Sequence, residues 1–301
     1  MRGWILYKES ANTVKPETYE INRFLDEAGH QGIEMKMISP DDVDLIVTQD
    51  DRKSVLINGQ VSPLPDFLIP RMGAGTTYFA LAVIRHLERL GVYTVNSAQS
   101  IDTVKDKLYT HQILAQHNLP VPKTMLVKYP VNVDLVERKL GFPVVVKTLS
   151  GSQGSGVFLS ETRSNFVDLM EFINTNKHKA NIILQEFIKS SRGRDLRVIT
   201  IGGRVVSCVQ RMSKTGDFKA NYSRGGLVEP YPLTPEIEWL ALETSRVLGL
   251  DIAGIDLLFD GEHFKICEAN SAPGFEGVEH CCEANIASDI YQFIQVRLGL
   301  Q

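Results

Sequence analysis

The sequence predicts an α/β chain whose second half becomes α+β. Three observations carry that reading. Over the first hundred residues, apolar strand-like runs alternate with stretches of helical spacing, the pattern of a parallel sheet with crossover helices. A Val-rich strand then enters a Gly/Ser loop and passes straight into another strand. The last third is a run of strands, several joined by short turns, which makes that sheet largely antiparallel.

The elements follow in order. Trp4-Ile5-Leu6-Tyr7 is a strand. From Glu17 to Ala28 the residues Tyr19, Ile21, Phe24 and Leu25 fall at loosely helical spacing, and Gly29 is a suitable stop. Ile33 to Ile38 and Asp44 to Val47 are short strands. Phe67-Leu68-Ile69 is another, ended by Pro70. Tyr78 to Leu90 is a helix closed by Gly91, and Val92 to Val95 a further strand. Asn96 to Asp106 is a crossover into a second unit. Lys105 to His117 is helical, and Pro120, Pro122 and Pro130 hold the next segment extended. Phe142 to Thr148 is the Val-rich strand. Asn181 to Ile188, Asp195 to Ile201, Arg204 to Arg211, Asp251 to Phe259 and His263 to Ala269 are the later strands. Pro235 to Leu248 is a helix stopped by Gly249.

Composition narrows the function classes. The 301 residues are 43% hydrophobic and 23% charged, which excludes a disordered chain, a collagen and a coiled coil. Thirty-two Lys and Arg against 36 Asp and Glu leave a net charge of −4, so the surface as a whole is not a nucleic-acid footprint. Four cysteines are too few for a disulfide scaffold, and adjacent Cys281 and Cys282 lack metal-knuckle spacing. Neither a secretory h-region nor a membrane-spanning apolar run is present, so a cytoplasmic location is expected.

Four segments carry chemistry. In the first, Lys147 stands on an apolar strand before Ser150-Gly151-Ser152-Gln153-Gly154-Ser155-Gly156. Such a loop can aim backbone N–H groups at phosphate oxygens, and a lysine on an apolar strand needs an anionic partner. It is neither a P-loop nor a dinucleotide fingerprint, because a strand follows it rather than a helix. A plain hairpin tip is the other reading. The second is Asp256 with Glu268-Ala269-Asn270. Glu268 and Asn270 share a strand face, and three hard oxygen donors suit magnesium. A two-residue turn at Asp260-Gly261 would put Asp256 and Glu268 on opposite faces. A longer loop or a bulge would bring them together, and that is the expectation here. The alternative is a hairpin with incidental surface acids.

The third segment is Gln185-Glu186-Phe187-Ile188-Lys189, continued by Asp195-Leu196-Arg197. Free backbone groups at a strand end can read an adenine edge, and a carboxylate beyond can take ribose hydroxyls. The fourth runs from Arg211 to Gly226, polar and rich in cations and glycine. A loop of that kind can clamp phosphate and carboxylate. For both, a solvated turn is the competing reading.

The order of these segments resembles the ATP-grasp superfamily, in the branch of ribosomal-protein-S6 glutamate ligases. The resemblance runs over nearly the whole chain. Ile69-Pro70-Arg71-Met72-Gly73, Asn96 to Lys107, Lys147 to Gly156, Gln185 to Ile188, Gly216 to Asn221, Arg224-Gly225-Gly226 and Glu268 to Gly277 all match in order. It implies an ATP-grasp fold behind a Rossmann-like pre-ATP-grasp domain, divided at 1–97, 98–184 and 185–301. It also implies an ATP-dependent carboxylate–amine ligase acting through an acyl phosphate. Lys107 and Lys147 would hold phosphates beneath Ser152, Gln153, Gly154, Ser155 and Gly156. Gln185, Glu186, Phe187 and Ile188 would read adenine, and Asp195 the ribose. Lys219 and Asn221 would lie at the phosphate end. Asp256, Glu268 and Asn270 would hold magnesium, two ions, which manganese could replace. Lys147, Arg211 and Arg224 would serve the reacting groups.

No Ser-His or Cys-His nucleophile is evident, and this chemistry needs none. The expected partners are ATP, an amino acid (glutamate first) and a carboxylate acceptor, either a protein tail such as that of ribosomal protein S6 or a small molecule. A non-catalytic ATP-binding module is the remaining alternative. Neither a membrane nor bulk nucleic acid is expected. A homo-oligomer, dimer or tetramer, is.

Overall fold

The computed structural model describes residues 1–8, 19–49, 54–149, 156–175, 181–214, 218, 220 and 226–300. The chain opens with β1 (Arg2–Leu6), α1 (Tyr19–His30) and β2 (Glu34–Ile38). A small antiparallel meander follows, made of β3 (Val43–Leu45), β4 (Val55–Ile57) and β5 (Gln60–Val61). Then come β6 (Phe67–Pro70), α2 (Tyr78–Arg89) and β7 (Tyr93–Thr94). The expected parallel sheet forms in the order β2-β1-β6-β7. The strand expected over Asp44 to Val47 lies in the meander instead. It alternates buried Val43 with exposed Asp44, the pattern of a strand wetted on one face.

The crossover after Asn96 is itself helical, as α3 (Ala98–Lys105) followed at once by α4 (Lys107–Gln116). Asp106 divides them, its Oδ1 accepting from the N–H groups of Leu108 and Tyr109 at 2.9 and 3.0 Å. A capping aspartate both ends one helix and starts the next. The continuous helix expected from Lys105 therefore begins two residues later.

The second sheet is built from β8 (Thr124–Leu126), β9 (Val144–Thr148), β10 (Val157–Ser160) and β11 (Ile182–Glu186), with α5 (Val133–Lys139) before β9 and α6 (Arg163–Thr175) after β10. Its order is β10-β9-β11-β8, antiparallel throughout. Val144, Val146, Ile182 and Leu184 pack against Val136, Phe166 and Met170 of the two helices. Strand alternation sends Val145, Lys147, Ile183 and Gln185 to the other face.

The third sheet takes β12 (Arg194–Ile201), β13 (Arg204–Met212), β14 (Leu227–Pro230), β15 (Ile252–Asp260) and β16 (His263–Asn270), with α7 (Pro235–Val247) between β14 and β15. The order is β14-β13-β12-β15-β16, again antiparallel. Leu196, Val198, Ile255 and Leu257 bury one face on Ile237, Leu240 and Ala241 of α7. On the opposite face, Ile199, Ile201, Val209 and Ile252 join a core with residues of α1, α8 (Glu276–Cys281) and α9 (Ile286–Arg297). Among the described residues no helix is long and apolar enough to cross a membrane.

One side chain ties the first sheet to the third. Asn96 is fully buried. Its Nδ2 donates to Ile252 O at 2.7 Å and Ser271 O at 2.8 Å, and its Oδ1 accepts from Ile252 N at 2.9 Å. Asn96→Ala removes all three bonds and strands buried backbone groups, each worth about 1–3 kcal/mol. The expected loss is about 2–4 kcal/mol, read as a lower urea midpoint with an unchanged m-value.

Candidate active site

The site begins with register. β15 and β16 close through the two-residue turn Gly261-Glu262, with Asp260 paired to His263. Uninterrupted pairing would set Asp256 opposite Cys267 and turn Glu268 away. Instead the register shifts after Asp256, so Asp256 pairs with Glu268 while Leu257 pairs with Ile266. Cys267 is the extra residue of a β-bulge. Phe264 and Ile266 before it, and Ala269 after it, all join the core against α7. Glu268 and Asn270 therefore share a face with Asp256, as expected from the sequence.

The same face carries a row of charge. Arg197 lies across from Asp256, and Asp195 across from Arg211. Arg197 holds Asp256 in a fork, Nε to Oδ1 and Nη2 to Oδ2, both at 2.8 Å. Arg211 holds Asp195 likewise at 2.7 Å and reaches Asp256 Oδ2 at 3.0 Å. Burial raises the cost of the Asp256 charge, but the two guanidiniums outweigh it and keep the carboxyl below the ordinary range. At Asp195 burial prevails over Arg211 and pushes the carboxyl up. Glu268 at the end of the row meets Lys107 at 3.4 Å.

The second sheet supplies the facing wall. Buried Lys147 extends from β9 to 3.6 Å from Cys267 Sγ. His111 of α4 approaches Cys267 O at 3.1 Å, Gln185 Nε2 at 3.3 Å and Thr124 Oγ1 at 3.4 Å. Burial, with the charges of Lys147 and Lys107 behind it, pushes the His111 ring down to about 4. Burial pushes the Cys267 thiol up, Lys147 pulls it down, and Glu268, Asp256 and Asp195 push it up further. Two phosphate-type lysines and three carboxylates thus converge on the bulge between the sheets.

The remaining expected residues fall around this cleft. Glu186 Oε1 accepts from Lys123 N at 2.9 Å and Lys265 Nζ at 2.8 Å. Gln185 Nε2 also donates to Thr124 Oγ1 at 2.9 Å. The Phe187 ring lies 6.0 Å from the Arg192 guanidinium, and Ile188 is buried. Gly156 opens β10 at φ +72°, and a Cβ there would lie 2.2 Å from Thr148 Oγ1, so only glycine fits. Ser152, Gln153, Gly154, Ser155, Lys219, Asn221 and Arg224 lie outside the described residues.

Sequence reasoning passed over Arg197, His111 and Lys265. Arg197 was legible in principle, since Asp195 and Arg197 are two apart on one strand and must share a face. His111 and Lys265 become site residues only through contacts between sheets.

The donor set fits a hard divalent cation. Asn270 Nδ2 donates to Gly254 O at 3.2 Å, which leaves its Oδ1 as the oxygen turned from that carbonyl. Arg197 alone satisfies both Asp256 oxygens, so the Arg211 contact is the exchangeable one. With lysines on the facing wall, the cleft can neutralise a polyphosphate from two sides.

This architecture, an antiparallel pair of sheets closing on a lysine-and-carboxylate cleft behind a parallel α/β unit, is that of the ATP-grasp ligases. Residues 104–294 match the RimK-like ATP-grasp domain and residues 12–101 the RimK PreATP-grasp domain, and the chain belongs to that family. A Legionella pneumophila (strain Corby) protein named probable alpha-L-glutamate ligase is 37% identical over 282 residues, 93% of this chain and 92% of the relative. A Shewanella sp. (strain MR-4) protein, probable alpha-L-glutamate ligase 2, is 35% identical over 93% of each chain. Among solved structures, the ATP-grasp ligase PsnB with a phosphomimetic variant of its minimal precursor, Mg and ADP superposes with TM-score 0.76 at 17% identity, covering 98% of both chains. D-alanine–D-alanine ligase from Bacillus anthracis complexed with ATP gives 0.69 at 17% identity over 99% of both. The chain is thus an ATP-dependent carboxylate–amine ligase.

His111 gives the site a pH signature. Its folded pKa lies below the ordinary 6.5 and near 4. Between those values the unfolded chain takes a proton that the folded chain refuses, so stability falls as pH drops through that window. His111→Gln lacks this term. Its stability relative to wild type should rise by about 3 kcal/mol from pH 6.5 to 4, measured by urea unfolding at each pH.

Proposed function

We propose that this ligase adds an α-amino acid, glutamate first, to the carboxylate of a protein or peptide, such as the C-terminus of ribosomal protein S6. The observation that carries the reading is the paired Asp256 and Glu268 facing Lys107 and Lys147, a site built for a metal-bound polyphosphate. The name borne by the relatives supports glutamate. PsnB, solved with a precursor, supports a peptide acceptor.

The roles carry over from the family resemblance. The chain divides into units at 1–97, 98–184 and 185–301, with the nucleotide between the last two. Gln185, Glu186, Phe187 and Ile188 present strand-end groups to adenine, and Asp195 serves the ribose. Lys107 and Lys147 hold phosphates, and the family resemblance adds Ser152, Gln153, Gly154, Ser155, Gly156, Lys219 and Asn221 to that role. Asp256, Glu268 and Asn270 would hold magnesium, which when bound offsets phosphate charge and orients the phosphates.

A carboxylate oxygen attacks the γ-phosphorus and ADP leaves. The amine then attacks the acyl carbon, phosphate departs, the amine gives up a proton, and an amide remains. Arg211 and Arg224 offset charge as it develops, and Lys147 steadies the transferring group. The rest is positioning and exclusion of water from the acyl phosphate.

The test is mass spectrometry of products from ATP, Mg²⁺, glutamate and a panel of peptide and small-molecule carboxylates, with phosphate release followed in parallel. One or more glutamyl increments on a peptide tail are expected. Increments confined to small molecules would overturn the acceptor assignment, and phosphate release only with another amino acid would overturn glutamate. Lys147→Ala and Glu268→Gln should each lower turnover about 100-fold or more. Full activity in either would refute its role.

A further inference from the structure

The parallel sheet holds a cation that the ligase centre leaves unused. Its order, β2-β1-β6-β7, reverses between β1 and β6, since β1 leads through α1 to β2 on one side and β6 through α2 to β7 on the other. In sheets of this type, ligands bind in the crevice beyond the carboxyl ends of the strands at the reversal. Leu6 and Pro70 end those two strands and are paired. Arg71 is the next residue, its N–H donating to Leu6 O at 2.9 Å.

The Arg71 guanidinium lies 5.7 Å from the centre of the Phe24 ring and 5.9 Å from that of Phe275, both fully buried. Its Nη2 donates to Pro273 O at 2.9 Å. Among the described residues that is its only side-chain hydrogen bond, and no carboxylate lies within ion-pair distance. Glu20 acts on it only at longer range, being engaged with Phe275 N at 3.0 Å. Burial lowers the pKa of Arg71, as it does for a cation short of counter-charge. Arg71 is thus half-buried, walled by two rings, and set beside the crevice at the strand reversal.

Pro273 links this crevice to the catalytic centre. It follows Asn270 by three residues. A Cβ on Gly254, the partner of Asn270, would lie 2.6 Å from Pro273 Cβ and 3.7 Å from Arg197 Nε. One proline ring therefore stands between the Arg71 crevice and the Arg197–Asp256 pair.

We propose that Arg71 anchors a substrate carboxylate that does not itself accept the phosphoryl group. The proposal rests on the ligase reading above. Ligation brings together molecules bearing more than one carboxylate, and only one of these reacts. The others, the α-carboxylate of the incoming amino acid or a further carboxylate of the acceptor, have to be held clear of the phosphates. A guanidinium fork with donors left unpaired among the described residues, one loop from Asn270, suits that task.

The test uses the full chain and the Arg71→Ala and Arg71→Lys variants. KM is measured for ATP, for glutamate against its α-amide, and for the acceptor against its amidated form. Arg71→Ala should raise KM for one carboxylate substrate by about tenfold or more, leave KM for ATP unchanged, and erase the preference for acid over amide on that same substrate. A rise for glutamate identifies the α-carboxylate, and a rise for the acceptor identifies the acceptor carboxylate. Unchanged KM for both, or an acid-over-amide preference that survives in Arg71→Ala, overturns the proposal. Arg71→Lys, which keeps the charge but loses the fork, should retain the wild-type melting temperature and part of the preference. If the wild-type chain ligates a different amino acid, the glutamate reading fails, and the same comparison with that amino acid and its amide still tests Arg71.

Discussion

The site depends on one inserted residue. Because side chains alternate along a strand, a single extra residue reverses the facing of everything beyond it. Cys267 is that residue. Before it, the even-numbered Phe264 and Ile266 pack on α7; after it, the odd-numbered Ala269 does. The reversal delivers Glu268 and Asn270 to the face of Asp256 without breaking the core beneath. The inserted residue also receives Lys147 from the other sheet, whose Nζ lies 3.6 Å from its Sγ. A thiol tolerates this place, since its burial holds it neutral and it asks for no strong partner. An ionised side chain here would engage Lys147 directly.

Around the bulge, charge is balanced locally. Asp195 and Asp256 face Arg197 and Arg211, two against two, in forks that alternate along the row. Such networks are costly to desolvate and contribute little net stability, so their persistence is better explained by what they position. Here they fix the direction of Asp256 through Arg197 while leaving Arg211 shared between two acids. Asp256 would keep the Arg197 fork without Arg211, whereas the fork on Asp195 comes from Arg211 alone among the described residues. The net charge of −4 is consistent with this economy, because the cations that matter are few and are aimed at one cleft.

Much of this was legible in the sequence. The third sheet and α7 were, because β15 is a long apolar run, β16 alternates polar and apolar residues, and Thr234, Pro235 and Gly249 mark the ends of α7. The shared facing of Asp256 and Glu268, through a longer loop or a bulge, was anticipated from chemistry rather than pattern: three oxygen donors can meet one cation only from one face. α6 and α9 were legible yet passed over, since Phe166, Leu169, Met170 and Ile173, and Ile286, Ile290, Tyr291 and Ile294, recur at helical spacing and pack in the core. What else escaped was local or distant in kind. The break at Asp106 is a capping event that hydrophobic spacing does not report. His111 and Lys265 sit on an ordinary helix and an ordinary hairpin. Nothing nearby in sequence marks them, because their partners, Gln185 and Glu186, lie more than 70 residues away.

The first sheet, which holds none of Lys107, Lys147, Asp256, Glu268 and Asn270, is nonetheless joined to them. Asn96 binds both Ile252 at the start of β15 and Ser271 just after β16, fixing the two ends of the acid-bearing hairpin against one side chain. Phe275 and Phe24 pack edge to face at 5.7 Å, and Glu20 holds the Phe275 N–H. The segment from Ser271 to Phe275 is thereby held from outside, while Pro273 bears on Gly254 from within. A displacement of the parallel sheet would pull on Asn270 through four residues of chain, and on Gly254 through the proline. The α/β unit therefore cannot be an indifferent appendage. It backs the hairpin that carries Asp256, Glu268 and Asn270, and the crevice at its own strand ends opens beside the same segment.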